Sequence, residues 1–395
     1  MKIVVPGGAG AMAWSGVIYL LEQPDVTEIL ITDLSEAKIK DRIEKLGGDN
    51  RLKGQALDLM DITASAKTFA GYDVVYNCAL LTTCTAATQA ALEAGVNYLD
   101  LGGWQKERQL ALSDDFQRKG IVGICGLGTA SGMSNIMSAY GVQQLDKPES
   151  IEIMDALVDM VPDTEHTRPL YWGFAIESII DEFTMDGPYF DEGEMKYVPP
   201  LSYPEVGNFK PPAGEVKVAT TIHGEPTALS QTFKDRGIKH VSWKIGYGAD
   251  FEKKMIFLRE LGLFNTESIN VDGQMVSPRA LILKLLHNQL AETKKAPDFR
   301  GHMIVVVKGE QGGEKVEYTI TEYATAELTK RMQSRGVLSS YRTGVYGAIG
   351  TVMIGRGQID KKGVFYAEAC VPPELFLKEA AKAGIEVEVS KRIRL

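Results

Sequence analysis

The chain has 395 residues, of which 44% are hydrophobic and 24% are charged, and this composition excludes disordered, collagen-like and low-complexity proteins. Its 43 Lys and Arg residues against 52 Asp and Glu residues give a formal net charge of −9, which argues against nucleic acid or an anionic membrane surface as a partner. Apolar runs are all shorter than the ~18 residues of a membrane span. Met1-Lys2 leads directly into an apolar strand without a cleavage site, so we expect a cytoplasmic protein with no signal peptide.

The first third of the chain alternates short apolar runs with helical patterns. Apolar runs that are separated by helices are typical of βαβ crossovers, which build a parallel sheet with helices on both faces. The sequence therefore predicts an α/β domain with a doubly wound, Rossmann-type sheet. Its predicted strands are 2–5, 29–32, a run around 57, 74–77, 98–101 and 121–125, and its clearest helices are 12–21, 85–94 and 106–118.

Beyond residue 132 the pattern changes to longer segments with period-two alternation, which indicate antiparallel strands in a second, α+β domain. Segment 189–212 carries five prolines and is predicted to be an irregular surface excursion. The predicted strands are 151–159, 215–223, 240–247, 303–308 and 315–321, and the predicted helices are 134–145, 173–183 and 278–290.

The last sixty or so residues turn helical again, with helices predicted at 343–354 and 374–383. The first of these contains several glycines, which either allow close packing or mark a weak helix, since each interior Gly costs ~1 kcal/mol against Ala. We expect this segment to pack against the first domain. The predicted domains are therefore 1–131 together with 341–395, and 132–340.

A glycine-rich loop follows the first strand and fits the pattern G-x-G-x-x-A, with Gly8, Gly10 and Ala13 at its three positions. Gly8 suits the tight turn, Gly10 lets a pyrophosphate approach the backbone, and Ala13 is small enough for close helix–strand packing. The helix that opens at Ala11 and Met12 points its N-terminal N–H groups at the phosphates. The loop predicts a dinucleotide site.

Asp33 closes the second predicted strand, 25 residues after Gly8. Its carboxylate can accept hydrogen bonds from the ribose hydroxyls of an adenosine, and it would repel a 2′-phosphate, so NAD is favoured over NADP. Lys38 and Lys40 leave some room for NADP. Asp58 and Leu59 follow the third strand, where they are predicted to meet the adenine, although a solvated turn acid is nearly as good an interpretation of Asp58.

Further candidates for the cofactor site lie at the ends of the next strands. Asn77, Cys78 and Gly102 follow parallel strands, at the edge where open α/β sheets bind ligands. No base neighbours Cys78, so we expect this thiol to line the site rather than to react. The four cysteines of the chain show no CxxC pair and no His at zinc spacing, which predicts reduced thiols and no metal site.

With these residues in view, the chain resembles the saccharopine dehydrogenase-like family, and within it the L-lysine 6-dehydrogenases. The resemblance implies a Rossmann domain, an inserted α+β domain with substrate and dimer contacts, and C-terminal helices that return to the first domain. It also implies reversible NAD(P)-linked oxidation of a carbon–nitrogen bond in an amino acid, by a homodimer. The segments that carry it are 73–77, 94–103, 126–135, 177–181, 276–279 and 354–357.

Oxidation of an amine by a nicotinamide cofactor requires the amine to be neutral. For a lysine-like ammonium of pKa ~10.4, deprotonation at pH 7 costs roughly 4.6 kcal/mol, so a base or a desolvating pocket is needed. Asp100, at a strand end before Gly102 and Gly103, is a candidate partner for a cationic amine or iminium, with an acid that caps the following turn as the equal alternative. Gly103 is predicted to line the substrate site.

The second domain offers further catalytic and substrate candidates. Glu177 lies on the apolar side of a predicted helix, where its carboxylate needs a partner, either a substrate ammonium or Arg168. His223 ends a strand and with Glu225 forms a potential proton-transfer pair, against the more common structural role of such a histidine. The remaining substrate candidates are Arg168 with Tyr171 or Trp172 as a carboxylate clamp, and Asp250 as an ammonium ligand.

Three functions remain open from the sequence. The leading one is NAD-dependent oxidative deamination of a basic amino acid, with L-lysine as the substrate. The second is reductive condensation of an amine with a carbonyl compound, as in saccharopine or carboxynorspermidine formation. The third is a regulatory protein that binds NAD without turnover. The family's Arg-Tyr-x-Gly-His run is replaced here by Gly246-Tyr247-Gly248-Ala249-Asp250, which supports this third reading.

Overall fold

The computed structural model describes residues 1–102, 106–162, 165, 169–288, 297–337 and 341–394. The chain divides into two units. Unit 1 comprises residues 1–144 and 324–387, and unit 2 comprises residues 145–323 and 388–395. Compared with the predicted domains, the helix after residue 132 and the segment from residue 324 lie in unit 1, whereas the last eight residues lie in unit 2.

Unit 1 contains a seven-stranded sheet in which all neighbouring strands are parallel. With elements numbered along the chain, the strands are β1 Lys2–Pro6, β2 Glu28–Asp33, β3 Leu52–Ala56, β4 Val74–Asn77, β5 Asn97–Asp100, β6 Val122–Cys125 and β17 Gly363–Tyr366. Their order in the sheet is β17-β6-β5-β4-β1-β2-β3. The chain thus adds strands first on one side of β1 and then on the other, as in the predicted doubly wound sheet.

Helices cover the sheet of unit 1 and bury the continuous apolar runs of its strands. They are α1 Ala11–Leu21, α2 Glu36–Lys45, α3 Ile62–Phe69, α4 Cys84–Ala94, α5 Glu107–Leu110, α6 Ser113–Arg118, α7 Met133–Gln143, α12 Ala326–Ser334, α13 Tyr341–Gly355, α14 Ala367–Cys370 and α15 Pro373–Lys382. The single helix predicted over 106–118 is thus split into α5 and α6.

The glycines of α13 allow two helices to pack closely. Helix α13 packs on α1, and a methyl group on Gly16 of α1 would lie 2.7 Å from the carbonyl oxygen of Gly344. The hydroxyl of Tyr76 on β4 donates to the same carbonyl at 2.8 Å. Helix α13 therefore packs within unit 1, and its small residues serve close approach.

Unit 2 is built on a mixed sheet of nine strands: β7 Lys147–Asp159, β8 Gly187–Asp191, β9 Glu194–Val198, β10 Ser202–Asn208, β11 Glu215–Thr220, β12 His240–Gly246, β15 Phe299–Gln311, β16 Glu314–Ala324 and β18 Ile385–Arg394. The main order is β10-β11-β12-β7-β15-β16-β18, and β8 pairs with both β12 and β9. A small hairpin joins β13 Ile269–Val271 to β14 Gln274–Val276. The helices are α8 Ile176–Thr184, α9 Glu225–Thr232, α10 Ala249–Glu260 and α11 Pro278–His287.

Two expectations about secondary structure were wrong. Segment 189–212 is not an irregular excursion, since most of it belongs to β8, β9 and β10, with its prolines mainly in the connections and at an edge strand. The C-terminal sixty residues also contain two strands, β17 and β18, besides the helices. Among the helices of the described residues, none has the length and apolar character that a membrane crossing needs.

Candidate functional site

The glycine-rich loop of unit 1 connects β1 to α1 at the carboxyl edge of the sheet. Gly7 has φ +68°, and a methyl group on it would lie 2.6 Å from backbone atoms of Ala79, so the loop packs directly on the end of β4. The N–H of Gly8 donates to the carbonyls of Val5 and Thr32, at 3.1 Å each. These contacts hold the loop against three neighbouring strands.

The first turn of α1 presents free backbone N–H groups. Gly10 is the N-cap and provides no side-chain cap, and the first turn contains no acidic residue. Ala11 is exposed, Met12 is half-buried and Ala13 is fully buried, as the pattern G-x-G-x-x-A predicts. A helix N-terminus of this kind suits a pyrophosphate, so the residues present fit a dinucleotide.

Arg42, a buried arginine on α2, donates hydrogen bonds to the backbone of the glycine-rich loop. The guanidinium of Arg42 donates from Nε and Nη2 to the carbonyl of Ala9, at 3.2 and 2.9 Å, and lies 3.7 Å from the ring centroid of Trp14. Burial lowers the pKa of Arg42. The bidentate contact fixes the Ala9–Gly10 peptide, because the N–H of Gly10 is held at the same time by the carbonyl of Gly7 at 2.9 Å.

We expect Arg42→Met to weaken NADH binding by roughly tenfold, because the loop loses two charge-assisted hydrogen bonds. The melting temperature should move little, since removal of a buried guanidinium also relieves its desolvation cost. Titration of NADH followed by its fluorescence measures the effect, and Arg118→Met on an exposed surface pair is the matched control. An unchanged dissociation constant in the Arg42 variant would show that the loop keeps its shape without this contact.

The other predicted cofactor residues lie at the same edge of the sheet, in different environments. Asp33 ends β2 and is half-buried, whereas Asp58 is exposed and accepts a hydrogen bond from the N–H of Met60 at 2.9 Å. That contact is typical of a turn acid, the alternative role for Asp58. The side chain of Leu59 lies in the hydrophobic core of unit 1, so that only its backbone is left to contact an adenine.

At the ends of β4 and β5 the side chains are tied to one another. The amide of Asn77 donates to the hydroxyl of Tyr98 at 3.0 Å, and its oxygen accepts from the N–H of Ala79 at 3.0 Å. The following residue, Cys78, has a pKa raised by burial, in agreement with an unreactive thiol. Gly102 has φ +31° and packs on the backbone of Gly126.

Asp100 is completely buried and its two oxygens are occupied inside unit 1. One accepts from the hydroxyl of Tyr98 at 2.9 Å and from the amide of Gln109 at 2.7 Å, and the other accepts from the N–H of Gly126 at 2.7 Å. These contacts are typical of the alternative role, an acid that holds the following turn, and the role of partner for a cationic amine stays a prediction.

Unit 2 contains a buried polar cluster around His223, which we call the acidic cluster; it comprises Asp155, Glu182, Thr221, His223, Glu225, Trp243 and Tyr247. Nδ1 of His223 bonds Oε2 of Glu225 at the start of α9. The imidazole stacks on Trp243, with ring centroids 4.0 Å apart. Glu225 is completely buried, whereas 17% of the His223 side chain is exposed.

A second carboxyl completes the acidic cluster from α8. Oε2 of Glu182 accepts a hydrogen bond from the hydroxyl of Tyr247 at 2.7 Å, and Glu182 also bonds Thr221. The indole N–H of Trp243 donates to the hydroxyl of Thr221 at 3.2 Å. Thr221, in the turn after β11, therefore links Glu182 to Trp243 on β12, on which the imidazole of His223 stacks.

Burial and charge shift the proton affinities in the acidic cluster. Burial raises the pKa of Glu182 to about 7. Burial also opposes protonation of His223, yet the Glu225 carboxylate outweighs it and raises the pKa of His223 above its usual value. The cluster holds three carboxyl groups against one imidazole, so it favours a positive charge and can hold a proton near neutral pH.

Comparisons with known proteins agree with both units. The family model described as the saccharopine dehydrogenase NADP binding domain matches residues 3–124, and that of the saccharopine dehydrogenase C-terminal domain matches residues 128–385. The chain belongs to the saccharopine dehydrogenase family. This family member is thus an NAD(P)-linked oxidoreductase that acts on a C–N bond.

Similar proteins span nearly the whole length of this saccharopine dehydrogenase family member. A carboxyaminopropylagmatine dehydrogenase from Synechocystis is 26% identical over 98% of this chain and 96% of its own. Apo saccharopine dehydrogenase (L-Glu forming) from Saccharomyces cerevisiae has a TM-score of 0.73 at 14% identity, with 99% of each chain covered. Homospermidine synthase from Legionella pneumophila, in complex with NAD, has a TM-score of 0.69 at 12% identity, over 100% of this chain and 91% of its own. The two structural likenesses support the fold.

Three residues predicted as catalytic or substrate residues of this family member are not members of the acidic cluster: Glu177, Tyr171 and Asp250. Glu177 is half-exposed and bonds Nε2 of His287 at 2.9 Å, so its carboxylate has a partner on α11. Asp250 is exposed at the start of α10, where it lies 3.7 Å from Lys253. Tyr171 is half-buried in a connection before α8. Gly103 and Arg168 lie outside the described residues.

Five members of the acidic cluster were not predicted as site residues from the sequence: Asp155, Glu182, Thr221, Trp243 and Tyr247. Glu177 and Glu182 flank opposite sides of the apolar stripe of α8, formed by residues 176, 179, 180 and 183, and only Glu182 is covered. Helical periodicity alone marks both positions as equivalent. Trp243 on β12 and Tyr247 just beyond its end follow the strand's period of two, a signal that indicates burial without identifying a partner.

Proposed function

We propose that this protein catalyses the NAD-dependent, reversible formation of a secondary amine that joins an amino acid to a second, basic amine. The observation that carries the proposal is the acidic cluster, in which Glu182 and Glu225 are buried beside the partly exposed His223. Buried carboxyl groups in excess over cations stabilise an ammonium or iminium group. Perturbed titratable groups of this kind are typical of active sites.

The chemistry requires a proton acceptor as well as a binding group for a cation. In the oxidative direction His223 takes the proton of the ammonium on Nε2, while Glu225 holds Nδ1 and stabilises the imidazolium. A bound nicotinamide supplies the hydride acceptor. The resulting iminium is hydrolysed by water to an amine and a carbonyl compound, and the reverse sequence forms the C–N bond.

The relatives support a secondary amine. The names saccharopine dehydrogenase and carboxyaminopropylagmatine dehydrogenase each denote an enzyme that acts on an amino acid joined to a second basic molecule. Oxidative deamination of L-lysine is the second candidate, since one ammonium group suffices to engage the acidic cluster. A homodimer and a cytoplasmic location stay predictions.

An NADH-oxidation assay with combinations of amines and carbonyl compounds tests the proposal. The protein is supplied with NADH, an amine such as agmatine or L-lysine, and a carbonyl compound that carries an amino-acid carboxylate, and the loss of nicotinamide absorbance is followed. We expect turnover only when amine and carbonyl compound are both present. Reduction of NAD by L-lysine alone would favour deamination, and NADH binding without turnover in any combination would indicate a regulatory protein.

The preference for NAD depends on Asp33 at the end of β2. We expect Asp33→Arg to weaken NAD binding roughly 10- to 100-fold, because two ribose hydroxyls lose a charged acceptor, and to improve NADP binding. Calorimetric titration of both nucleotides measures the change. Asp58→Arg makes the same charge change at an exposed turn, and an equal effect there would mean that net charge rather than a ribose contact sets the preference.

A further inference from the structure

A lysine is buried at the carboxyl edge of the unit 1 sheet. Lys106 directly precedes α5 and is only 4% exposed. Its Nζ lies 2.9 Å from the hydroxyl of Ser131 and 5.3 Å from the ring centroid of Tyr366. Within the described ranges it forms no ion pair. An ammonium has three donors, so this charge is buried with one hydrogen bond.

The backbone around Lys106 is shaped to admit its ammonium group. Gly126 has φ +77°, and a methyl group on it would collide with Nζ of Lys106. The N–H of Gly126 is held in turn by Asp100 at 2.7 Å, so the position of this turn is fixed. The positive φ favours glycine at this position, and the ammonium group of Lys106 fills the space that a side chain would take.

Asp100 holds the N–H of Gly126 beside Lys106 but does not pair with its ammonium group, and the oxygens of Asp100 already accept from Tyr98, Gln109 and Gly126. A buried charge without a paired partner costs free energy that a bound ligand can recover. The carboxyl ends of β5 and β6 lie at the edge where open α/β sheets bind ligands. In the order of strands they lie beyond β4 from β1, the strand that the glycine loop follows. The ligand that fits two remaining N–H donors on a cation is a carboxylate.

We propose that Nζ of Lys106 binds the carboxylate of the amino-acid part of the substrate, with Ser131 as the residue that orients it. This inference rests on the proposed function, since it takes an amino-acid substrate as given. Binding of the nicotinamide carboxamide by the same group is the alternative that the experiment separates.

Two pairs of amines that differ only by a carboxylate test the proposal. They are L-lysine with cadaverine, and L-2,4-diaminobutyrate with 1,3-diaminopropane, each titrated calorimetrically into the full chain with NAD present. We expect the wild type to bind the carboxylated member of at least one pair roughly 10- to 100-fold more tightly. Lys106→Met should abolish this difference and leave the diamines unaffected. Lys67→Met on the exposed side of α3 is the control and should keep it.

Ser131→Ala provides a milder variant in case Lys106→Met does not fold. It removes the hydrogen bond to Nζ and keeps the charge, so we expect a loss of a few-fold for the carboxylated amines only. Retained discrimination in a folded Lys106→Met, or a wild type that discriminates in neither pair, overturns the inference even where turnover supports the proposed function. A loss of NADH affinity in Lys106→Met that equals the loss for the amino acids assigns the lysine to the cofactor instead.

Discussion

Replacement of Glu225 by glutamine is expected to lower turnover of the amine by about 100-fold or more, the usual contribution of a general acid–base pair. The glutamine keeps the size of the side chain and can still bond Nδ1 of His223. It loses the negative charge that stabilises the imidazolium, so proton transfer to His223 becomes less favourable. Binding of NADH should stay unchanged, because the glycine loop lies in the other unit.

The pH profile distinguishes this role from a structural one. In the oxidative direction His223 acts as the neutral base, so the rate rises as the pH passes through its pKa. Glu225 raises that pKa against the effect of burial, and its removal should move the rising limb to lower pH. Glu252→Gln on α10 is the matched control, since Glu252 accepts from the N–H of Tyr247 and does not bond His223. An unshifted limb with full turnover in Glu225→Gln would remove the pair from the mechanism.

The order of elements in unit 1 could be predicted because each strand is a short apolar run and each crossover a helix. Strand β17 was missed because Gly363–Tyr366 follows a lysine- and glycine-containing loop and is only four residues long. Strand β18 was missed because its exposed, charged alternation is typical of a solvated tail, and its place in the sheet depends on β16. Both strands are added by long-range pairing, which local patterns do not encode.

The candidate site was predictable where its residues are neighbours in sequence. The glycine loop and the His223–Glu225 pair each lie within a few residues, so spacing alone brings them together. Asp100 could be placed at the right edge of the sheet, but the donors that occupy its oxygens come from Tyr98, Gln109 and Gly126 and emerge only from the fold. Lys106 likewise looks like a surface charge in sequence.

The second large effect concerns Glu182 and the stability of the fold as the pH changes. Its pKa is raised from 4.5 to about 7 by burial, so the folded state holds this proton more tightly than the unfolded state. The free energy of unfolding therefore falls as the pH rises from about 4.5 through 7, by on the order of 3 kcal/mol in total. His223, whose pKa is also raised, adds a loss in the same direction as the pH rises through that pKa.

Glu182→Gln removes an ionisable group and keeps the acceptor for Tyr247. We expect urea unfolding, followed by tryptophan fluorescence between pH 5 and 8, to show a clearly smaller loss of stability in this variant than in the wild type. A basic amine such as agmatine should restore part of the wild-type stability at pH 8, because it supplies the positive charge that the ionised cluster lacks.

Glu177→Gln on the same helix is the control, because the pKa of Glu177 is shifted in the opposite direction from that of Glu182. Burial opposes ionisation of Glu177, but the hydrogen bond with His287 outweighs it and lowers the pKa. That contribution is present at neutral pH and is lost as the pH falls, so the Glu177 variant should keep the wild-type decline between pH 5 and 8. Parallel stability curves for wild type and Glu182→Gln would mean that Glu182 is ionised without cost at neutral pH, and that the acidic cluster has no need of a cation.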